Sequence, residues 1–454
     1  MSELMENIFT PKYLQIKNIL LKEISGGRYK KGDKIPSENV LPSRFQVSKL
    51  TVVKAIEELV NEGILERIKG SGTYVAENKK QTVLSVGAFG DCPWIFELFE
   101  EANPDIKISK TIYTHENFYE IVENNNFDLM YLTEFYLDYM VSKNKLLDVT
   151  DLFQDILFDK PLIYENVLRL FEHRRKQYAM PFLFSPLMIL YNKRLFRDCG
   201  VDLPSDNWNW ENFLNTALKF KSAEKDGISA FIFAQYRNRW PVYIIQNGGE
   251  IIGRDGHCAI GNKEAIEAVK WAHDLLFKHK VCPLYPNMTR ELSQFLFREG
   301  KAAMILETYY SISQYTKNGR LEIGMTPLPK GKLDTTGLVA DAYAIGKNPK
   351  NINAAVKFIK FTLSDEVQKR IKKITHGIPS VKEIAETETD IPENISKDDY
   401  MKFRAEIPKG RKLISVTDPR RLNPLWHEMD KVWAGMETPE TACKNAEKLF
   451  NKEH

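Results

Sequence analysis

The 454-residue sequence predicts an α/β protein in which a small head of three helices and a β-hairpin precedes a much larger unit of strands and helices. Apolar residues recur at helical spacing before residue 62, and an alternating strand pair follows up to residue 75. From residue 82 onward, strand and helix patterns alternate. These observations predict the head at 1–76, a polar linker at 77–81 and the large unit at 82–454.

Composition excludes several classes of protein. Hydrophobic residues at 43% and charged residues at 28% are typical of a soluble globular protein, and no run of eighteen apolar residues could span a bilayer. The acidic first residues lack the basic and apolar parts of a secretory signal, so we expect a cytoplasmic protein without a membrane partner. The cysteines are scattered and form no C-x-x-C pair, which predicts reduced thiols and no metal site: Cys92, Cys199, Cys258, Cys282 and Cys443.

Charge is concentrated in the head. Residues 1–80 carry fourteen Lys/Arg against ten Asp/Glu, a net charge of +4, whereas the whole chain carries +3. Residues 28–54 hold seven basic and two acidic side chains. Such a local excess suits a polyanionic partner, although a solvated basic surface would have the same composition. The predicted order of helices and strands in the head therefore has to distinguish a polyanion-binding surface from an ordinary solvated one.

Three helices are predicted in the head. The first covers 13–24 and ends at a Gly-Gly pair. Ser37 is expected to cap a second helix that ends near residues 46–47, and Pro42 is expected to shorten or bend that helix. Ser48 is expected to cap a third helix over 49–62, with a buried stripe on one face and Lys49, Thr51 and Lys54 on the other.

A β-hairpin is predicted to follow these helices. Residues 64–68 alternate as a strand, Lys69-Gly70-Ser71-Gly72 forms the turn, and residues 73–75 return as the second strand. Three helices followed by a hairpin form a winged helix, whose third helix can place Lys49, Thr51 and Lys54 against phosphates or base edges.

Four sequence blocks in the head carry a family resemblance: Ile35–Glu38, Val47–Val52, Glu62–Arg67 and Gly70–Val75. Together they resemble the DNA-binding domain of GntR-family regulators. The resemblance implies double-stranded operator DNA as a partner, with Ser48, Lys49 and Thr51 in the major groove and the Gly70–Gly72 wing tip at the minor groove. The residues expected at DNA are Ser37, Asn39, Arg44, Ser48, Lys49, Thr51, Lys54, Arg67, Lys69, Gly70, Ser71 and Gly72.

The head departs from this family at three positions. Members commonly carry Arg where this chain has Asn39, Lys49 and Val53. A lysine ammonium cannot form the two parallel hydrogen bonds that a guanidinium makes to guanine. A bidentate guanine contact is therefore less available to this chain.

The large unit begins with a predicted strand at 82–87, a helix at 94–101 and a strand at 106–108. Eight phrases in order resemble extracellular solute-binding proteins of the carbohydrate class, which have the type II periplasmic-binding fold: 99–106, 127–130, 145–152, 178–182, 190–196, 246–249, 297–304 and 354–361. The resemblance implies two lobes joined by crossing strands, with a small ligand in the cleft and hinge closure on binding.

Candidate ligand-binding residues follow from sugar chemistry and from the positions that line the cleft in the resembling family. Pyranose faces stack on aromatic rings, and sugar hydroxyls bond to carboxylates, amides or guanidinium groups. Any of these aromatic residues could equally be a core residue, and the favoured candidates are Trp240, Asp341 and Tyr343. The full candidate set is Trp94, Phe182, Phe184, Trp240, Glu307, Tyr309, Tyr310, Asp341 and Tyr343.

These features predict a homodimeric transcription repressor that releases its operator when a carbohydrate binds. A non-sugar solute is the alternative effector. A second alternative is a head fused to an aminotransferase-like enzyme that uses pyridoxal phosphate, but the sequence shows no Schiff-base lysine site, P-loop or nucleophile elbow. We therefore expect no enzyme activity, no cofactor and no metal.

Overall fold

The structure, a computed structural model, describes residues 11–76, 81–90, 93–159, 162–223, 227–285, 288–316, 321–374, 377–391 and 395–452. The chain divides into two compact units, Met1–Leu84 with Glu100–Ile108 and Ser85–Phe99 with Ser109–His454. We call the first the winged-helix unit and the second the large unit. The predicted linker lies almost entirely outside the described residues, so its bounds stay a prediction.

The winged-helix unit has the predicted order of three helices and a hairpin. Its apolar side chains come together in one core that draws on all three helices and both strands. The strands pair antiparallel from Leu65 opposite Val75 to Ile68 opposite Gly72. The elements are α1 Lys12–Ser25, α2 Leu41–Phe45, α3 Lys49–Asn61, β1 Leu65–Ile68 and β2 Gly72–Val75.

Helix α2 differs from its prediction at its start. Ser37 does not cap it: the Ser37 carbonyl accepts the N–H groups of Val40 and Leu41 in a preceding turn, and the helix begins at Leu41. Pro42 then falls in the first turn, where its missing N–H leaves no hydrogen bond unmade. Gln46, with φ at 52°, ends this short helix.

Helix α3 begins as predicted. The Ser48 side chain accepts a hydrogen bond from the Thr51 N–H at 3.2 Å and so caps the helix. The buried stripe of α3 consists of Val52, Ala55, Ile56 and Leu59.

The large unit is a mixed α/β structure. Its strands are β3 Thr82–Ala88, β4 Ile106–Ile112, β5 Leu129–Thr133, β6 Glu172–His173, β7 Lys176–Gln177, β8 Ala179–Asn192, β9 Ser229–Ile232, β10 Ala302–Thr308, β11 Ile323–Thr326, β12 Thr336–Ile345, β13 Ile378–Pro379 and β14 Gly410–Arg411. The strands predicted at 82–87 and 106–108 are β3 and β4. The division into two compact units groups residues 82–84 and 106–108 with the first unit and the rest of both strands with the large unit.

Helices fill the connections between these strands. They are α4 Pro93–Ala102, α5 Phe118–Asn124, α6 Leu137–Ser142, α7 Glu165–Leu168, α8 Lys193–Asp198, α9 Trp210–Ser222, α10 Pro241–Gln246, α11 Lys263–Phe277, α12 Arg290–Arg298, α13 Ile312–Thr316, α14 Ile352–Thr362, α15 Asp365–Ile374, α16 Lys382–Glu386, α17 Lys397–Ala405, α18 Asn423–Trp433 and α19 Pro439–Lys452. Within the described residues, none of the helices has the length and apolar character needed to cross a membrane.

Strand β8 joins two lobes: the first contains β3, β4, β5 and β12, and the second contains β9, β10 and β11. Its first half pairs with β12, from Ala179 opposite Ala344 to Pro186 opposite Leu338. Its second half pairs with β10 and β11. Strand β5 lies on the far side of β12, and β9 lies on the far side of β10. The predicted two-lobed fold with crossing strands is confirmed.

Strand β8 carries a bulge where it pairs with β12. The register of β12 against β8 shifts between Asp341 and Ala342, which pair with Leu183 and Pro181. Phe182 therefore has no partner residue on β12. A bulge changes the direction in which neighbouring side chains point, and this one lies beside a cavity of the large unit.

Candidate DNA-binding surface and ligand cavity

The N-terminal end of α3 presents polar side chains to solvent. Ser48, Lys49 and Lys54 are exposed, and Thr51 is half-buried. The Thr51 hydroxyl lies 2.8 Å from the Ser48 hydroxyl. Ser48 therefore both caps α3 and belongs to this polar surface. Lys54 Nζ lies 4.0 Å from the centre of the Tyr13 ring on α1, a cation–π contact. The residues that sequence analysis assigned to the major groove thus lie together at one end of α3.

Arg44 and Arg67 have carboxylate partners. Arg44 Nη1 lies 3.0 Å from a Glu23 oxygen, which ties α2 to α1. Hydrogen bonding to Arg44 lowers the pKa of Glu23, although burial opposes the shift. Arg67 on β1 pairs with Glu38 at 2.5 Å and with Glu57 at 3.7 Å. The structure therefore gives both arginines a role within the winged-helix unit.

The hairpin turn supplies the remaining predicted residues. Lys69, Gly70 and Ser71 are exposed, and Gly72 is half-buried. Gly70 and Gly72 have φ angles of 79° and 139°, in a region that side chains rarely adopt. Ser37 and Asn39 are exposed in the turn before α2. A shallow hollow of about 550 Å³ lies between the start of α1 and the α2–α3 turn, bordered by Lys12, Ser43 and Ser48.

A cavity of about 1060 Å³ lies in the large unit. Aromatic rings form part of its wall: Tyr119, Tyr131, Phe135, Tyr136, Tyr236 and Tyr310. Basic side chains form another part: Arg237, Arg239, Arg290, Lys412 and Arg420. Carboxylates complete it: Glu134, Glu291, Asp341 and Asp430. Rings for stacking and both kinds of hydrogen-bonding group suit a polar ligand with apolar faces.

Two of the predicted ligand residues, Tyr310 and Asp341, line this cavity. Asp341 lies on β12 beside the β8 bulge and opposite Thr133 at the end of β5. Glu134, the next residue after β5, also lines the cavity and accepts the Ala340 N–H at 3.0 Å. Burial raises the pKa of Glu134. The crossing strands thus bring two carboxyl groups to the same cavity.

Trp240, a favoured candidate, does not line this cavity. Only 2% of its surface is exposed, and its ring packs against Trp426 at 5.9 Å and Trp433 at 5.4 Å. These tryptophans belong to the core of one lobe. Trp240 directly precedes α10, and its neighbours Arg237 and Arg239 line the cavity instead.

The other aromatic candidates also lie outside the lining. Tyr343 and Phe182 are fully buried with their rings 4.9 Å apart. Phe184 packs on Tyr164, and Tyr309 packs on Phe403. Trp94 on α4 lies under the guanidinium of Arg370. The alternative reading of these residues as packing residues fits their positions.

Glu307 lies behind the cavity wall in a buried cluster. Arg239 Nη2 donates to it at 3.0 Å, with Arg239 2% exposed and Glu307 fully buried. Gln294, Ser311 and Tyr315 also donate hydrogen bonds to the Glu307 carboxylate. Burial opposes ionisation, yet Arg239 and Arg290 hold the pKa of Glu307 below its ordinary value. This cluster fixes Arg239 and Gln294, both of which line the cavity.

Two loop segments supply lining residues that sequence analysis missed. Residues 235–239 lie between β9 and α10, and residues 412–430 include the loop before α18. Arg420 in the second segment pairs with Asp418 and lies 4.8 Å from the Tyr119 ring centre. Loop residues show neither the helical nor the strand periodicity of apolar residues, so the sequence did not predict that these segments reach the cavity. The polar triplet Arg237-Asn238-Arg239 was the available signal.

Comparison with known proteins identifies both units. Residues 93–369 match the family model for bacterial extracellular solute-binding proteins. Residues 12–75 match the model for bacterial regulatory proteins of the gntR family.

Relatives fall into two groups that match different parts of the chain. A putative binding protein of Brucella abortus (strain 2308) is 24% identical over 289 residues, which cover 60% of this chain and 66% of that protein. The mannosyl-D-glycerate transport/metabolism system repressor MngR of Escherichia coli (strain K12) is 45% identical over 69 residues, which cover 15% of this chain and 29% of that protein. The chain thus spans about two thirds of the first relative and less than a third of the second.

A solved structure shares the fold of the large unit. An ABC substrate-binding protein from Listeria monocytogenes, in complex with cycloalternan, superimposes with a TM-score of 0.74 at 23% identity. The match covers 82% of this chain and 99% of that one. This chain belongs to the bacterial extracellular solute-binding protein family and carries a gntR-family helix-turn-helix domain at its N-terminus.

Proposed function

We propose that this protein is a transcription repressor whose affinity for operator DNA is controlled by a carbohydrate bound in the cavity of the large unit. The observation that carries the proposal is the presence, in one chain, of a gntR-type recognition helix with exposed polar residues and of a solute-binding fold with a cavity of about 1060 Å³. Both families are non-enzymatic, so the cavity is proposed to bind its ligand without changing it.

The chemistry of the cavity wall supports a carbohydrate. The rings of Tyr119 and Tyr310 can stack on sugar faces, while Asp341, Glu134 and Arg239 can bond to hydroxyl groups. The Listeria monocytogenes protein that shares the fold of the large unit was solved in complex with cycloalternan, which agrees with this class. We propose the cavity residues Tyr310 and Asp341 as ligand contacts, with Arg239 held in place by Glu307.

Control of DNA binding is proposed to arise from closure of the two lobes. Strands β8 and β12 pair where the two lobes are connected. A ligand that contacts Asp341 on β12 would therefore touch this connection directly. In the proposed homodimer, closure changes the arrangement of the two winged-helix units and the operator is released. The ligand must favour the non-binding arrangement by roughly 3–5 kcal/mol to turn a mostly bound population into a mostly free one.

A screen of the full chain by thermal unfolding tests the ligand class. Mono- and oligosaccharides are compared with amino acids and polyols, and a binding ligand at a hundredfold excess over its dissociation constant stabilises the fold by about 2.7 kcal/mol. Stabilisation by saccharides alone supports the proposal. Stabilisation only by the other solutes replaces the carbohydrate with that solute class.

The coupling is tested by measuring DNA binding with and without the stabilising saccharide. Asp341→Asn should raise the saccharide concentration that releases DNA, with unchanged DNA affinity in its absence, because the two sites share one coupling free energy. Asp255→Asn is the matched control, since Asp255 is exposed and does not line the cavity. DNA affinity that no bound saccharide alters would overturn the proposed control.

A further inference from the structure

Leu50 is an apolar side chain in an unusual place. It leaves 80% of its surface exposed, the largest value among the large apolar side chains of the described residues. It is the second residue of α3 and follows directly after the cap Ser48 and Lys49. An isolated exposed leucine needs no explanation by itself, but this one lies in the helix proposed to read DNA.

The geometry of α3 places Leu50 on the face that points away from the core. Successive residues turn by about 100° around a helix, so Leu50 lies opposite the buried stripe of Val52, Ala55, Ile56 and Leu59. The other residues of this outward face are polar and exposed: Lys54, Glu57 and Asn61. Leu50 is thus the apolar member of an otherwise polar face, and it contributes nothing to the core.

The neighbours of Leu50 leave its methyl groups uncovered. Lys54, one turn further along, places its Nζ against the Tyr13 ring on α1. Lys49 is exposed and has no ion-pair partner within the part of the chain that the structure describes. Helix side chains tilt toward the N-terminus, which directs Leu50 toward the end of α3 that enters the major groove in helix-turn-helix proteins.

One apolar group is available on the base edges of that groove, the C5-methyl of thymine. We propose that Leu50 contacts a thymine methyl and makes thymine a specified base in the operator. This inference rests on the proposed DNA binding. It also gives the chain a way to read sequence where Lys49 replaces the arginine that would bond bidentately to guanine.

The test uses duplexes that the full-length protein selects from a random-sequence library. Each selected site is resynthesised with deoxyuridine in place of single thymidines, which removes the methyl group and leaves base pairing intact. At one thymine or more, uracil should lower wild-type affinity about fourfold, the effect of one buried methyl group. Leu50→Ala should bind the thymine and uracil duplexes equally at that position.

Control variants separate this contact from loss of fold. Ile68→Ala removes another exposed apolar side chain of the winged-helix unit and should keep the full response to uracil. Leu50→Ala should unfold at the wild-type temperature, since the side chain is exposed. Equal sensitivity to uracil in the wild type and in Leu50→Ala, or none in the wild type, would overturn the inference. If the wild-type protein selects no DNA at all, the proposed function itself fails.

Discussion

Two side chains of the large unit, Trp240 and Asp341, show how position decides the role of a residue. Trp240 has the ring that a sugar would stack on, but it is enclosed by Trp426 and Trp433. Asp341 is small, but it lies on β12 opposite the β8 bulge and lines the cavity. The first residue stabilises the lobe, and the second is available to a ligand.

This difference predicts opposite outcomes for two substitutions. Trp240→Ala should lower the free energy of unfolding by about 3–5 kcal/mol, because it leaves a large cavity in a packed core. Asp341→Asn should leave stability nearly unchanged and weaken binding of the identified saccharide by about 1.5–3 kcal/mol, through loss of charge-assisted hydrogen bonds. Denaturant unfolding and calorimetric titration measure the two effects. Unaltered saccharide affinity in Asp341→Asn would move the ligand contact away from β12.

The buried pair of Arg239 and Glu307 predicts a pH-dependent stability. Glu307→Gln leaves Arg239 buried without its counterion and should destabilise the protein by about 3–5 kcal/mol at neutral pH. The pKa of Glu307 is lowered in the folded state, so its contribution is present above the unfolded pKa and is lost as pH falls through the folded pKa.

The stability difference between wild type and Glu307→Gln should therefore shrink once the pH falls below about 4, the ordinary range of a glutamate. Urea midpoints at neutral and acidic pH give this difference. The double variant Arg239→Met with Glu307→Leu is the matched control, because it removes both charges and should not respond to this titration. A wild-type advantage that stays constant with pH would show that Glu307 does not titrate as its surroundings indicate.

At the scale of elements, the winged-helix unit has its own core, built from α1, α2, α3 and the hairpin. Three of its exposed lysines lie on α3 and the wing: Lys49, Lys54 and Lys69. A unit of this kind can bind the DNA backbone through charge and can then add base contacts.

We therefore predict that residues 1–80, expressed alone, bind duplex DNA more weakly than the full chain and with steep salt dependence. Each neutralised phosphate releases counterions, so the logarithm of affinity should fall linearly with the logarithm of salt concentration. Fluorescence anisotropy over a salt series measures the slope. A slope near zero, in a fragment shown by circular dichroism to be folded, would argue against phosphate contacts by this unit.

The elements themselves show what the sequence could predict. Helix α3 followed from its apolar spacing and from Ser48, because both signals are local. The start of α2 did not, because Ser37, a good cap by type, uses its carbonyl in a turn and Pro42 suits the first helical turn. The two-lobed fold followed from ordered phrases, whereas the cavity wall is formed by loops such as 235–239 whose meeting depends on the tertiary fold. Aromatic residue type alone did not separate Trp240 from Tyr310.

At the scale of the whole molecule, the proposed homodimer predicts an operator with two half-sites. Their centres should lie about one helical turn apart, roughly 34–36 Å, because each recognition helix meets the same face of the duplex. Lengthening the spacing by half a turn should reduce binding to that of a single half-site. Gel shifts with spacing variants, together with sedimentation of the free protein, measure this. A monomer that binds all spacings equally would contradict the dimer.

Strand β12 lies between β5 and β8 in the sheet, although it follows both of them in the chain. A ribosome therefore finishes β5 and β8 before the strand that joins them has been synthesised. The sheet made by β8, β10 and β9 can close earlier, since all three strands precede β12. Until Ile345 has emerged, the nascent protein carries two open strand edges that could pair with another chain. The order of translation thus makes completion of the first lobe depend on synthesis of the second.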